Sequence, residues 1–282
     1  MPRKITIASA AGFCFGVKKA IDRAEQQDEA YIFGSLIHNP QEVARLDTLG
    51  KHIVSSLDDV KGTRVFITAH GLDVAKLEEM KAREMDIVDT TCPLVTHIYR
   101  SGWKLQGMGL RVVIIGDPKH VEVKGIASRM NDPIIVYQEE DLERVPQGSR
   151  IGVVSQSTLM MEKFDRFVDL LKARCELVEA INTICKPTKD RQVAARALAQ
   201  EVDVMVVIGG YNSSNTHKLA DVAAERLGEG STHHIETAQE LKQEWFEGKT
   251  HVGVTAGAST PDYLIKEVVE AIASLPDRVQ AA

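Results

Sequence analysis

The chain has 282 residues, 44% of them hydrophobic and 26% charged, enough to bury a large core as one complex domain or two to three small ones. A formal net charge of −6 and a pI near 5.9 disfavour a general nucleic-acid binder but allow a local pocket for a small anion. No stretch approaches the roughly 18 unbroken apolar residues of a membrane span, and the four cysteines, none in a CxxC pair, suit a reducing cytoplasm.

The N-terminal MPRKITIASAAGFCFGV has no long apolar h-region and reads as a mature first strand, KITIAS, running into Cys14. From there the chain repeats itself three times, with a cysteine opening each round. After Cys14 come a helix, FGVKKAIDRAEQ, a strand, AYIF, a polar turn, GSLIHN, and a helix, PQEVARLDTLG. A second strand around IVSS and a third at RVFIT follow, then the turn AHG, the helix DVAKLEEMKARE and a fourth strand, DIV. After Cys92 the same order reads PLVTHIYRSGWKLQ, RVVII, GDPKHVE, VKGIASRM, IIVY, RIGVV, SQST, LMMEKFDRFVDLLKA and ELVEA. After Cys185 it reads KDRQVAARALAQ, VMVVI, GGYNSSN, THKLADVAAERL, HHIE, HVGVT, AGAS and PDYLIKEVVEAIAS. This third round lacks its own fourth strand, which the N-terminal segment is expected to supply.

Short apolar strands alternating with helices imply an α/β protein of three pseudo-repeated lobes with small, mainly parallel sheets. The expected boundaries are 14–92, 93–184 and 185–282, the last completed by the N-terminal strand segment 1–13. Parallel sheets gather functional groups at the carboxyl ends of their strands, where all three cysteines and all the polar turns fall. One central site with pseudo-threefold symmetry is the economical arrangement.

A lone cysteine often packs as a small hydrophobe, and Cys175, outside the repeat, is read that way. Cys14, Cys92 and Cys185 share one context, a strand-to-helix junction where helix N–H groups favour a thiolate. Three thiolates leave a metal centre one protein ligand short. Zinc would then keep a catalytic water, whereas a [4Fe–4S] cluster would keep one iron open; soft all-thiolate ligation leans towards iron–sulfur. The turns add His38, His70, His120, Glu122, Ser157, Thr158, Ser213, Ser214, Asn215 and Ser259, a set rich in neutral donors able to cradle a phosphate at helix N-termini. Each Ser or Asn is also an ordinary helix N-cap, so the case rests on their matching positions. Glu122 is the carboxylate of the second turn; burial beside an anion would favour its protonated form and suit it as a proton donor, whereas its bland role is a solvent-facing first-turn Glu. His52, His97, His217, His233, His234 and His251 read as surface or packing residues.

GFCFGV, HN at His38, AHG at His70, DTTCPLVT, HVEVKG, SQSTL, NSSN and GVTAGAS occur in the order seen in the 4-hydroxy-3-methylbut-2-enyl diphosphate reductases, the IspH or LytB family, which the chain resembles over nearly its whole length. The resemblance implies a central [4Fe–4S] cluster on Cys14, Cys92 and Cys185, with a fourth iron not ligated by protein that binds the substrate hydroxyl. It implies reductive loss of that hydroxyl from an allylic diphosphate, giving isopentenyl and dimethylallyl diphosphates. Glu122 would deliver protons; His38, His70, Ser213, Asn215 and Ser259 would hold the diphosphate, with Ser214 beside them and His120 near the anion and proton path. Ser157 stands where the family usually has Thr, facing the substrate hydroxyl. Val121 replaces the usual proline of His-Pro-Glu, Asp117 replaces the His of a Gly-His lead-in, and Lys186 replaces a common aromatic. No nicotinamide GxGxxG or flavin signature is present, so electrons would come from an external ferredoxin or flavodoxin. A three-cysteine zinc enzyme acting on a phosphorylated metabolite and a non-catalytic iron–sulfur sensor are the other readings.

Overall fold

The computed structural model describes residues 3–276. In chain order the first round comprises β1 (Lys4–Ile7), α1 (Phe15–Glu25), β2 (Ala30–Phe33), α2 (Pro40–Thr48), β3 (Lys51–Val54), β4 (Arg64–Ile67), α3 (Val74–Ala82) and β5 (Asp86–Asp89). The second comprises α4 (Pro93–Gly107), β6 (Arg111–Ile115), α5 (Val121–Ala127), β7 (Ile134–Val136), β8 (Arg150–Ser155), α6 (Met161–Arg174) and β9 (Leu177–Ala180). The third comprises α7 (Lys186–Ala199), β10 (Val204–Ile208), α8 (Ser214–Leu227), β11 (Thr232–Ile235), β12 (His251–Ala256) and α9 (Asp262–Ser274).

Among the described residues the strands form three four-stranded parallel sheets, ordered β3-β2-β4-β5, β7-β6-β8-β9 and β11-β10-β12-β1. The order is the same in each once β1 takes the fourth place, with Lys4 to Ile7 in register beside His251 to Val254. The ends of the expected outer segments, residues 1–2 and 277–282, lie outside the described residues. Burial follows the sheet order. All of β10 and most of β6, β8 and β12 are buried, whereas the edge strands β1, β5 and β9 are not, because only central parallel strands have helices over both faces and neighbours on both sides. The continuous apolar runs RVVII and VMVVI are the sequence record of that burial.

The chain divides into two compact units. One comprises residues up to 17, 37–44 and those from 186 onward, and holds the sheet β11-β10-β12-β1, with Val206, Ile208, Val254, Phe246 and Val268 in its core. The other comprises 18–36 and 45–185 and holds the other two sheets, with separate cores around Phe164, Phe167 and Leu171, around Ile98, Leu105 and Ile126, and around Val65, Ile67 and Met80. Cys175 packs against the first of these, as a small hydrophobe should.

Two glycines set how closely helices approach their sheets. A Cβ on Gly152 of β8 would meet the Leu105 side chain of α4 at 2.6 Å, and one on Gly253 of β12 would meet Val202 and Leu198 at 3.1 and 3.2 Å. Each glycine therefore admits the helix that follows a cysteine, α4 after Cys92 and α7 after Cys185.

Short 3-10 turns not anticipated from sequence follow the second strand of each round, at Leu57–Asp59, Glu139–Arg144 and Ala238–Glu240. Ser56, the Gln138–Asp141 pair and the Thr237–Glu240 pair cap them.

Candidate active site

Each cysteine is fixed to the turn beside it by the same backbone contact. The N–H of Cys14 donates to the Ala258 carbonyl at 3.1 Å, that of Cys92 to Ala69 at 2.9 Å and that of Cys185 to Ser157 at 3.0 Å. All three acceptors lie two residues beyond the end of a third strand, β12, β4 or β8. A second contact precedes each cysteine by two positions. Gly12 N–H donates to Ala256 O, the Thr90 hydroxyl donates to Ile67 O, and the Thr183 hydroxyl donates to Ser155 O at 2.7 Å, in each case to the last residue of that strand. The T-x-C spacing of DTTC and NTIC was the signal for these locks. In the first round, positive φ at Gly12 and the approach of Ile265 at 2.9 Å to its Cβ position require glycine instead.

In the larger unit the lock on Cys185 carries the acid. The Ser157 N–H donates to Glu122 Oε1 at 2.6 Å and the Ser157 hydroxyl to Oε2 at 2.7 Å, while the Ser157 carbonyl receives the Cys185 N–H. One serine thus joins the buried carboxylate to a cysteine. Glu122 is 1% exposed, although it sits in the first turn of α5, where a solvent-facing side chain was the simpler expectation. The helix also begins earlier than VKGIASRM suggests: His120 is its N-cap, and its Nδ1 accepts the Glu122 N–H at 3.2 Å. That bond places the neutral ring's proton on Nε2. The rings of His120 and His70 meet edge to face, with centroids 5.7 Å apart.

Asp117 offsets what Val121 lacks as a non-proline. Its carboxylate accepts the Lys119 N–H at 2.8 Å, its carbonyl accepts the His120 N–H at 3.0 Å, and its own N–H donates to Gln156 Oε1 at 3.1 Å. An Asx turn anchored to the SQST loop therefore presets the entry to α5.

Tyr99 and Arg129 were not singled out from sequence. The Arg129 guanidinium donates to the carbonyls of Leu72 and Gly125, tying α5 to the turn after His70, and lies 4.3 Å over the Tyr99 ring. Burial pushes the Tyr99 hydroxyl up to about 12, against Arg129 and with added pressure from the charges of Glu122 and Asp89.

The smaller unit carries the other candidates. Ser213 caps α8, its hydroxyl accepting the Thr216 N–H at 3.3 Å, and Ser214 and Asn215 form that helix's first turn. Ser213, Asn215 and Ser259 are 3%, 5% and 8% exposed. Asn215 Nδ2 and Asn39 Nδ2 are buried donors without a hydrogen-bond partner among the described residues. An incoming anion would satisfy such groups, which otherwise cost free energy. Burial holds the His38 imidazole below its ordinary 6.5, so it is neutral at neutral pH. Lys218 Nζ donates to Ser214 Oγ at 2.6 Å, adding a cation to a set read from sequence as neutral. Its place one helical turn after Ser214 was the available signal.

No disulfide involves any of the four cysteines. Among the described residues no three His, Cys, Asp or Glu side chains stand where one metal ion could hold them. Cys14, Cys92 and Cys185 each immediately precede a helix and are each held through the backbone N–H, and free thiols of this kind have the donor chemistry of iron–sulfur ligands.

A family model described as LytB protein matches residues 5–273. The chain belongs to the LytB family. Its relatives include proteins named 4-hydroxy-3-methylbut-2-enyl diphosphate reductase from Geobacter sulfurreducens, 43% identical over 95% of this chain and 96% of the relative, and from Nitratiruptor sp., 41% identical over 95% and 98%. A solved structure of (E)-4-hydroxy-3-methyl-but-2-enyl diphosphate reductase, described as the terminal enzyme of the non-mevalonate pathway, superposes with a TM-score of 0.70 at 40% identity, covering 96% of this chain and 99% of that one. The Plasmodium falciparum E-1-hydroxy-2-methyl-but-2-enyl-4-diphosphate reductase superposes with a TM-score of 0.88 at 26% identity, covering 96% and 88%. LytB family membership and the three-sheet α/β architecture expected from the repeat therefore agree.

Proposed function

We propose that this LytB protein reduces 4-hydroxy-3-methylbut-2-enyl diphosphate, with two electrons and two protons, to isopentenyl and dimethylallyl diphosphates and water, the last step of the non-mevalonate route. The observation that carries the reading is the Glu122–Ser157–Cys185 chain of hydrogen bonds, which couples a buried acid to a candidate cluster ligand through one residue. Cys14, Cys92 and Cys185 would hold a [4Fe–4S] cluster with one iron not ligated by protein, supplying electrons and a Lewis-acid position for the hydroxyl oxygen.

The chain's own residues divide the remaining work. Glu122, oriented through both carboxylate oxygens by Ser157, donates a proton, and His120, with its proton on Nε2, stands two residues away on the same helix start. His38, His70, Ser213, Ser214, Asn215 and Ser259 bind the diphosphate. Neutral donors suit this task, because buried N–H and O–H groups bind an anion without competing carboxylate partners. Burial of Glu122 and Ser157 also keeps water from the acid. The working lobes are 14–92, 93–184 and 185–282 with 1–13. The electron donor is external, of the ferredoxin or flavodoxin kind, and the setting is the cytoplasm; no helix among the described residues is long and apolar enough to cross a membrane.

The test is anaerobic reconstitution with iron and sulfide, followed by turnover of the allylic diphosphate with a reduced donor and direct measurement of both products. Product formation that depends on the cluster is expected. A complete cluster and competent donor with no product would overturn the reading.

A further inference from the structure

The turn Gly209–Asn215, which delivers Ser213, Ser214 and Asn215, begins with two glycines that close packing requires. A Cβ on Gly209 would lie 2.6 Å from Thr216 Oγ1, and one on Gly210 would lie 2.6 Å from the His38 carbonyl oxygen. Adjacent glycines leave the backbone free to move, which is poor support for groups that must meet a phosphate within a few tenths of an ångström.

A second set of side chains removes that freedom from behind. The Tyr211 N–H donates to Glu236 Oε1 at 2.7 Å, and Gln41 Nε2 reaches Glu236 Oε2 at 3.4 Å. Glu236 therefore bridges the GGYNSSN turn to the helix that starts just after His38. The Tyr211 hydroxyl donates to Glu240, which the N–H groups of Glu236 and Thr237 hold at 2.9 and 2.8 Å. His234 Nε2 donates to the Gly209 carbonyl at 2.8 Å and His217 Nε2 to the Tyr211 carbonyl at 2.6 Å, with the two rings edge to face at 5.0 Å. Both carbonyls flanking Gly210 are thus tied to imidazoles.

We propose that Glu236, supported by His234 and Glu240, is a positioning residue that fixes the His38 and Gly209–Asn215 turns relative to each other for diphosphate binding. The proposal rests on the reductase reading, because that reading places a diphosphate at these turns. Glu236 touches no substrate atom; it acts through Tyr211 and Gln41. Losing it should weaken anion binding and leave the chemical step intact.

The experiment titrates inorganic pyrophosphate calorimetrically into reconstituted protein and measures kcat and KM in parallel. For Glu236→Ala, Kd for pyrophosphate and KM for the allylic diphosphate should each rise about tenfold, the effect of one lost charged hydrogen bond, with kcat and cluster absorbance unchanged. Glu236→Gln should recover most of the loss, because its amide oxygen still accepts the Tyr211 N–H. Should Glu236→Ala fail to fold, His234→Ala against His234→Gln decides the matter, since only glutamine retains a donor to Gly209. An active wild type whose Kd and KM are unmoved by these changes, or a loss confined to kcat, overturns the positioning role and leaves the reductase reading standing. A fully loaded wild type that neither binds pyrophosphate nor turns over overturns both.

Discussion

The Glu122–Ser157 corner and the GGYNSSN turn are both built from polar residues at strand ends, yet they solve opposite problems. At Glu122 both carboxylate oxygens are met by donors from the chain itself, so the group is aimed before anything binds. At the turn, Asn215 Nδ2 is buried and without a partner among the described residues, and rigidity is imposed from outside by Glu236, His234 and Glu240. A proton donor gains from internal satisfaction because its geometry must be set in advance. An anion cradle gains from donors left open for the ligand, at a standing cost to stability.

Substitutions that act on one region alone can break or sharpen this contrast. The largest effect should come from Cys92→Ser, which removes a candidate cluster ligand: iron content after anaerobic reconstitution should fall and turnover should be lost, with the fold kept by the unchanged Cys92 N–H contact to Ala69. Full iron loading and activity would remove that cysteine from the ligand set. Next, Asn215→Ala should weaken pyrophosphate binding by about ten- to a hundredfold while raising thermal stability slightly, because it deletes a buried unsatisfied donor along with a ligand contact. A fall in stability with unchanged binding would make Asn215 structural. Ser157→Ala should cost about 2 kcal/mol of stability, since it strips one donor from a buried carboxylate, and Ser157→Thr should restore it.

The smallest effect concerns acid. Burial holds the imidazoles of His38, His233 and His234 below their ordinary 6.5, aided at His233 by Lys242 and Lys249 and at His234 by His217, and opposed at His234 by the Gly209 carbonyl and by Glu236 and Glu240. A depressed histidine binds fewer protons folded than unfolded, so its stabilisation is full above about 6.5 and is lost as pH falls through the folded value. All three lie in the smaller unit, whose melting temperature should drop on acidification. His233→Phe, which can keep the stack on Trp245, should lessen the drop. A melting temperature that holds or rises towards pH 5.5 would contradict this.

The repeat made the sheets legible because a fully buried parallel strand must be written as an apolar run, as VMVVI and RVVII are. Glu122 was legible as a group near the cysteines, and burial was one of two readings of it; what the letters did not show was its partner, since Ser157 arrives from a loop 35 positions away. The T-x-C locks were present in the letters and went unread, because a threonine hydroxyl bonding a neighbouring strand looks the same in sequence as an ordinary cap. The clamp of Glu236, His234 and Glu240 was hidden for a different reason: a His on an edge strand or a Glu in the turn after it is most often a solvated side chain, and only the fold shows which carbonyl or N–H it meets.

Glu122→Gln measured beside wild type, both reconstituted and both assayed for turnover and for pyrophosphate binding, tests the division of labour most directly. Turnover should fall about 10²- to 10⁴-fold, with cluster absorbance and pyrophosphate affinity retained. Normal turnover by Glu122→Gln would remove it as the proton donor, and a parallel loss of pyrophosphate affinity would show that acid and cradle are not separate devices.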